Sequence, residues 1–178
     1  MLSMSNDLRY FKLHPEVNDP LRATRGSACF DLYSFLPVES TVKVYRSVNF
    51  EETETVKREV RQERIPINPN ERVLVPTGLI FDIPVGYSIR LYPRSSLALK
   101  QGLTLANNVG IIDSDYVEPV FAMVMNVSGY VKYINHNERI CQGELFKNQT
   151  CIIEEISYAT ALGQKTERTG GFGSTGKK

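Results

Sequence analysis

From Ile67 onward, apolar and polar residues alternate in short runs that stop at regular intervals. Arg72-Val73-Leu74-Val75 ends at Pro76, Leu79-Ile80-Phe81-Asp82-Ile83 ends at Pro84, and Tyr87-Ser88-Ile89-Arg90-Leu91-Tyr92 ends at Pro93. Turn residues recurring roughly every eight to twelve positions predict an all-β sandwich or barrel. Upstream, Leu8 to Leu13 reads as a first strand stopped at His14-Pro15, and Ser27 to Ser34 as another, with a loop between them. Downstream, Pro119 to Met125 is a continuous apolar run, the pattern of a strand buried on both faces. Tyr130 to Ile134, Arg139 to Gln142, Glu144 to Phe146 and Cys151 to Ile156 continue the strand pattern. Residues 38–65 fit less well. Thr41-Val42-Lys43-Val44-Tyr45 alternates like a strand, whereas Glu51 to Arg64 is dense in charge and fits either a helix or a second strand. With little apolar surface to bury, that run is expected to be a solvated excursion.

Within this frame, two places interrupt the pattern with chemistry. Leu103, Leu105, Val109, Ile111 and Ile112 read as strand, and Asn107-Asn108 as the turn that folds them into a hairpin. Asp113 then stands at the end of a rigid β element, a good position for a carboxylate that activates a water. The same Asp113-Ser114-Asp115 also reads as a plain β-turn, because Asp and Ser satisfy turn backbone locally. At the second place, Pro93 to Lys100, Ser95 or Ser96 could cap one helical turn, and Arg94 beside exposed amides suits an anion. A surface ion pair is the alternative role for Arg94. Asp31, inside an otherwise apolar strand, needs a partner because an unpaired buried charge is costly.

Composition narrows the function classes. The chain has 178 residues, 42% hydrophobic and 23% charged, as expected for one globular domain. A formal charge of +1 gives no electrostatic case for binding nucleic acid, and no apolar run approaches the roughly 18 residues of a membrane span. Neither a secretory leader nor a CxxC spacing is seen, and Cys29, Cys141 and Cys151 are odd in number, which together suggest a reducing, cytoplasmic compartment. His14 and His136 stand far apart without cysteine partners, so no protein-built zinc site is expected. The glycine-rich end, Arg168 to Lys178, nearly spells a phosphate-binding loop, but Lys178 stands where Ser or Thr is required and no helix follows. What remains there suits a flexible lid, with Phe172 for a flat ring and amides, Ser174, Thr175 and Arg168 for phosphates.

Five stretches in order resemble the five motifs of the homotrimeric dUTPase family. They are Gly26 to Leu32, Pro93 to Ala98, Asn107 to Tyr116, Glu138 to Gln142, and Arg168 to Gly176. The resemblance implies a distorted jelly-roll domain over residues 1–162, interrupted by an insertion at about 38–65, and a flexible arm over 163–178 that closes an active site. It implies a homotrimer with sites at subunit interfaces, hydrolysing dUTP to dUMP and pyrophosphate. Mg²⁺ would come bound to the triphosphate, with no direct protein ligand and Asp31 acting through water or at the interface. By the same resemblance, Asp113 deprotonates the attacking water, Tyr116 packs against the sugar, and Asn107 with the Gly110 and Ile112 backbone reads uracil. Arg94, Ser95, Ser96 and Gln142 would hold the inner phosphates, Arg168, Gly173, Ser174 and Thr175 the outer end, and Phe172 would stack on the base. The family usually has Gly where Ser96 stands, and a Gly-Glu type pair at Glu118-Pro119. The dCTP deaminases share the fold, but carry a catalytic glutamate where Met123 aligns, and methionine cannot relay protons. Another deoxypyrimidine triphosphate hydrolase is the near alternative. A non-catalytic nucleotide sensor that binds a protein through residues 38–65 is the distant one.

Overall fold

The computed structural model describes residues 7–49 and 51–156. The chain divides into two units, residues 1–148 and 149–178. Among the described residues of the first, thirteen strands and one short helix follow in the order β1 (Arg9–Lys12), β2 (Phe30–Tyr33), β3 (Thr41–Ser47), β4 (Thr53–Glu59), β5 (Arg64–Ile67), β6 (Arg72–Pro76), β7 (Leu79–Asp82), β8 (Tyr87–Tyr92), α1 (Ser95–Gln101), β9 (Leu103–Leu105), β10 (Gly110–Ile112), β11 (Phe121–Asn126), β12 (Lys132–Asn135) and β13 (Arg139–Lys147). In the second unit, residues 149–156 carry no strand and are exposed, so the strand expected at Cys151 to Ile156 does not form.

Two larger sheets make the body. One has the order β10-β8-β13-β2 and the other β4-β3-β6-β11-β9; β1-β7 and β12-β5 are small two-stranded additions. Period-two alternation sends one set of side chains from each sheet into a shared core. Leu32, Val44, Val73, Val75, Ile89, Leu91, Ala122 and Val124 are all buried there. The fold is all-β and jelly-roll-like, as expected.

Three local expectations are corrected by this topology. The first concerns Leu103 to Ile112. A tight turn does form at Asn107-Asn108, with Asn108 at φ 60° and its N–H donating to the Leu105 carbonyl at 3.1 Å. Yet β9 pairs with β11 while β10 pairs with β8, so the turn carries the chain from one sheet to the other and closes no hairpin. Second, the run before Met125 is not buried on both faces. Ala122 and Val124 are buried, but Phe121 and Met123 are 42% and 39% exposed.

Third, the run from Glu51 to Arg64 is not a solvated excursion; its first part joins the strand expected at Thr41 to Tyr45 in one unit over residues 41–59. They form a hairpin in which β3 pairs along its length with β4 and also with β6. Val42 and Val44 bury one face of it, and Val60 closes the end. A buried ion pair pins it down. Arg58 on β4 donates from both Nη atoms to Glu71 at 2.6 and 2.9 Å, and Asn68 adds its backbone and side-chain N–H groups to the same carboxylate. Burial would push the Glu71 carboxyl up, but these hydrogen bonds outweigh it and hold its pKa near about 2.

Candidate active site

Two depressions gather the described candidate residues, and they share no lining residue. The first is a pocket of about 330 Å³ at the sheet-to-sheet turn, holding Asn107, Gly110, Ile112, Asp113 and Tyr116. Its apolar wall comes from Leu91, Leu105, Leu74 and Met123. A side chain at Gly110 would be crowded. A Cβ there would stand 3.2 Å from the Leu91 Cβ and 3.3 Å from Asn107 Nδ2. The glycine thus leaves the Asn107 amide its space beside Leu91. Past Ile112 the chain makes the β-turn that Asp and Ser favour, closed by the Tyr116 N–H donating to the Asp113 carbonyl at 3.2 Å. The turn reading and the catalytic reading are therefore compatible. Tyr116 is fixed by its hydroxyl, which donates to the Pro119 carbonyl at 3.0 Å and leaves the ring 41% exposed. Asp113 is exposed, and among the described residues nothing hydrogen-bonds to or pairs with its carboxylate.

The second depression, about 320 Å³, is polar. It holds Arg94, Ser95, Ser96 and Gln142 together with Asp31 and Arg139. Asp31 has the partners its setting demanded: Arg94 Nε donates to Oδ1 at 2.9 Å and Arg139 Nη1 to Oδ2 at 3.2 Å. Arg94 also gives an Nη1 hydrogen bond to the Arg139 carbonyl at 3.3 Å. Gln142 Nε2 donates to the Pro93 carbonyl at 3.0 Å, which fixes the entry to α1 and leaves its own carbonyl oxygen available. The helix is seven residues long and its N-cap is Arg94, so neither Ser95 nor Ser96 caps it; both are exposed at its start. Neighbouring Cys141 is fully buried, and burial first, then the Asp31 charge, pushes its thiol up to about 12. It is an inert packing group.

Strand register sets how far apart the two depressions are. Gly110 faces Leu91 and Ile112 faces Ile89, so Asp113 projects level with Ser88, whereas Arg94 lies beyond the other end of β8. At about 3.3 Å per residue along a strand, they stand on the order of 20 Å apart in one chain.

Arg139 was not singled out from the sequence, although Asp31 on the neighbouring strand signalled that a cation was needed. Phe121 and Met123, beside the pocket, were hidden by being read as core. Arg168, Phe172, Gly173, Ser174 and Thr175 lie outside the described residues. Among the described residues, no group of three or more His, Cys, Asp or Glu is arranged to hold a metal.

Comparison with known proteins gives a consistent result. A sequence model of the dUTPase family matches residues 60–176. The deoxyuridine 5'-triphosphate nucleotidohydrolase of Nautilia profundicola is 34% identical over 96% of this chain and 99% of its own. That of Dinoroseobacter shibae is 38% identical over 89% of this chain and 87% of its own. The crystal structure of the Streptococcus mutans dUTPase superposes with a TM-score of 0.60 at 27% identity, covering 80% of this chain and 98% of that one.

Proposed function

The chain belongs to the dUTPase family, and from that premise we propose how its residues divide the hydrolysis of dUTP to dUMP and pyrophosphate. The reaction itself is that of a dUTP diphosphatase, as its relatives are named. Asp113, the unpaired carboxylate, takes a proton from water while the water oxygen attacks the α-phosphorus. The bond from that phosphorus to the bridging oxygen breaks and pyrophosphate leaves. Asn107 and the Gly110–Ile112 backbone read the edge of uracil, and the Tyr116 ring lies against the deoxyribose. Arg94, Ser95, Ser96 and Gln142 hold phosphate oxygens. The family pattern assigns Arg168, Gly173, Ser174 and Thr175 to the outer phosphates and Phe172 to stacking on the base.

A Mg²⁺ ion fits this donor set only as a passenger on the triphosphate. Each Asp31 oxygen already accepts from an arginine, and the remaining lone pairs suit the ion's water shell. When bound, Mg²⁺ supplies neutralisation of phosphate charge.

The observation that carries the arrangement is the register-derived distance between Asp113 and Arg94. It supports a site shared between copies, the pocket of one meeting the polar cleft of another; the family pattern makes the assembly a homotrimer. Complementation tests this. Asp113→Asn and Arg94→Ala chains, each inactive alone, should recover part of the activity when co-refolded, because mixed assemblies contain intact sites. No recovery in verified mixed assemblies would place both residues' work within one chain. Substrate choice is tested by a panel of deoxynucleoside triphosphates with product identification; ammonia release from dCTP would favour the deaminase alternative.

A protein partner at the insertion is a second reading, supported by a polar groove lined by Lys57, Glu59, Arg64 and Tyr133 together with Arg46, Arg58 and Arg61, which pair with Glu54, Glu71 and Glu59. A pull-down comparing the full chain with one lacking residues 39–64 tests it. The three unpaired cysteines support a reducing, cytoplasmic setting.

A further inference from the structure

Helix α1 carries the serines of the polar cleft, yet it is too short to hold itself. Seven residues make about two turns, well below the length at which a helix persists alone in water. Leu97 is its one buried residue. Residues 95, 96 and 98–100 are exposed, and neither serine nor Lys100 has a hydrogen-bonded or charged partner among the described residues. What ties the helix down is a single stripe. Arg94, Leu97 and Gln101 recur three and then four residues apart, the spacing that shares one side of a helix. At one end Arg94 reaches Asp31. At the other, Gln101 Nε2 donates to Glu138 Oε1 at 3.4 Å.

Glu138 is itself fixed. Its second carboxylate oxygen, Oε2, accepts from the Asn135 backbone N–H at 2.9 Å and from Asn135 Nδ2 at 3.1 Å. Buried Ser34 grips the Glu138 backbone from both sides. The Ser34 N–H donates to the Glu138 carbonyl at 2.8 Å, and the Glu138 N–H donates to Ser34 Oγ at 3.1 Å. Arg139 comes next, where β13 begins and its register against β2 shifts, an irregularity of the kind that redirects a side chain. Arg139 then meets Asp31 and offers its carbonyl to Arg94. Helix and strand are thus joined twice, at the cleft through Asp31 and at the far end of α1 through Gln101 and Glu138.

We propose that Gln101 and Glu138 are positioning residues for the hydrolysis, their hydrogen bond fixing the axis of α1 and so the place where Arg94, Ser95 and Ser96 meet phosphate. The inference rests on the phosphate role of the polar cleft. The physical reason is leverage. A short rod held at one core contact swings about it, and a modest tilt about Leu97 moves the Arg94 guanidinium by about 1 Å, enough to spoil oriented contacts. A second tie, one turn beyond Leu97, removes that freedom. Gln101 supplies it from the end of the helix away from the cleft.

Inhibition of dUTP hydrolysis by the full chain tests this, with inorganic pyrophosphate probing the cleft and deoxyuridine probing the base pocket. Gln101→Ala removes the tie, and Gln101→Glu sets two carboxylates against each other. Both should raise the pyrophosphate Ki and the KM for dUTP by about 3- to 10-fold, the size of one lost hydrogen bond, with the deoxyuridine Ki unchanged. Adding Glu138→Gln to Gln101→Glu again sets a donor against an acceptor and should recover most of the loss. An unchanged pyrophosphate Ki in both single variants overturns the proposal. So does a deoxyuridine Ki that rises in step, or a double variant that recovers nothing. Arg94→Ala separates this inference from the reading beneath it. If Arg94→Ala raises the pyrophosphate Ki while the Gln101 variants do not, this inference alone fails. If Arg94→Ala leaves that Ki unchanged, the phosphate role of the cleft fails and takes this inference with it.

Discussion

The two depressions solve opposite problems with the same kind of group. In the polar cleft, Asp31 is locked between Arg94 and Arg139 before any ligand arrives. In the pocket, Asp113 ends a strand with its carboxylate free. Under the proposed roles, the difference is a division of labour. A carboxylate that aims arginines at phosphate must be braced, because an arginine lost to solvent rotamers positions nothing. A carboxylate that takes a proton must keep its lone pairs unspent. Glu71, clamped by Arg58 and Asn68 away from either depression, shows the braced design used purely for structure.

Substitutions can break this contrast. The largest effect is expected at Asp113→Asn, with turnover down by about 10²-fold or more, dUTP affinity roughly intact and the urea midpoint unchanged. Unchanged turnover would remove the free carboxylate from the chemistry. Asp31→Asn should behave differently. It frees Arg94 and Arg139 from their anchor, and both stability in urea and catalytic efficiency should fall, the first by about 1–3 kcal/mol. A variant that lost activity with no loss of stability would mean that Asp31 works on the substrate and not on the arginines.

Acid should sharpen the comparison next. The Glu71 pKa is depressed from 4.5 to about 2, so its contribution to stability is full above pH 4.5 and is lost as pH falls toward about 2, where the folded form takes up the proton. Denaturant midpoints measured at pH 6, 4 and 3 should fall more steeply for the parent than for Glu71→Gln. Identical slopes would detach the Arg58 clamp from stability. The smallest effect is expected at Gly110→Ala, whose methyl would crowd Leu91 and the Asn107 amide. It should raise the KM for dUTP several-fold while leaving kcat nearly alone, the signature of lost ground-state binding. A fall in kcat at constant KM would contradict the pocket's role in base reading.

Much of this was legible in the chain. Strand existence followed from period-two alternation wherever one face is buried, as in Arg72 to Val75. Asp31's need for a partner followed from its apolar neighbours, and Asn107 to Tyr116 carried both the turn and the candidate base. Arg139 was missed because an arginine at a strand start is ordinary until the strand pairing brings it beside Asp31. The hairpin at residues 41–59 was underrated because its charge density concealed how few apolar residues a single docked face requires. Val42, Val44 and Val60 suffice when β6 supplies the pairing edge.

By itself the chain's order of residues determined the all-β class, the turn positions and the candidates for reactive groups, since these depend on neighbours within a few positions. Only the tertiary structure decided that β9 and β10 join different sheets, that Asp113 and Arg94 lie at opposite ends of β8, and that Phe121 and Met123 face outward. Alternation reports that one face of a strand is covered. Which strand pairs with it, and which side meets solvent or another molecule, is a long-range choice made by the whole core.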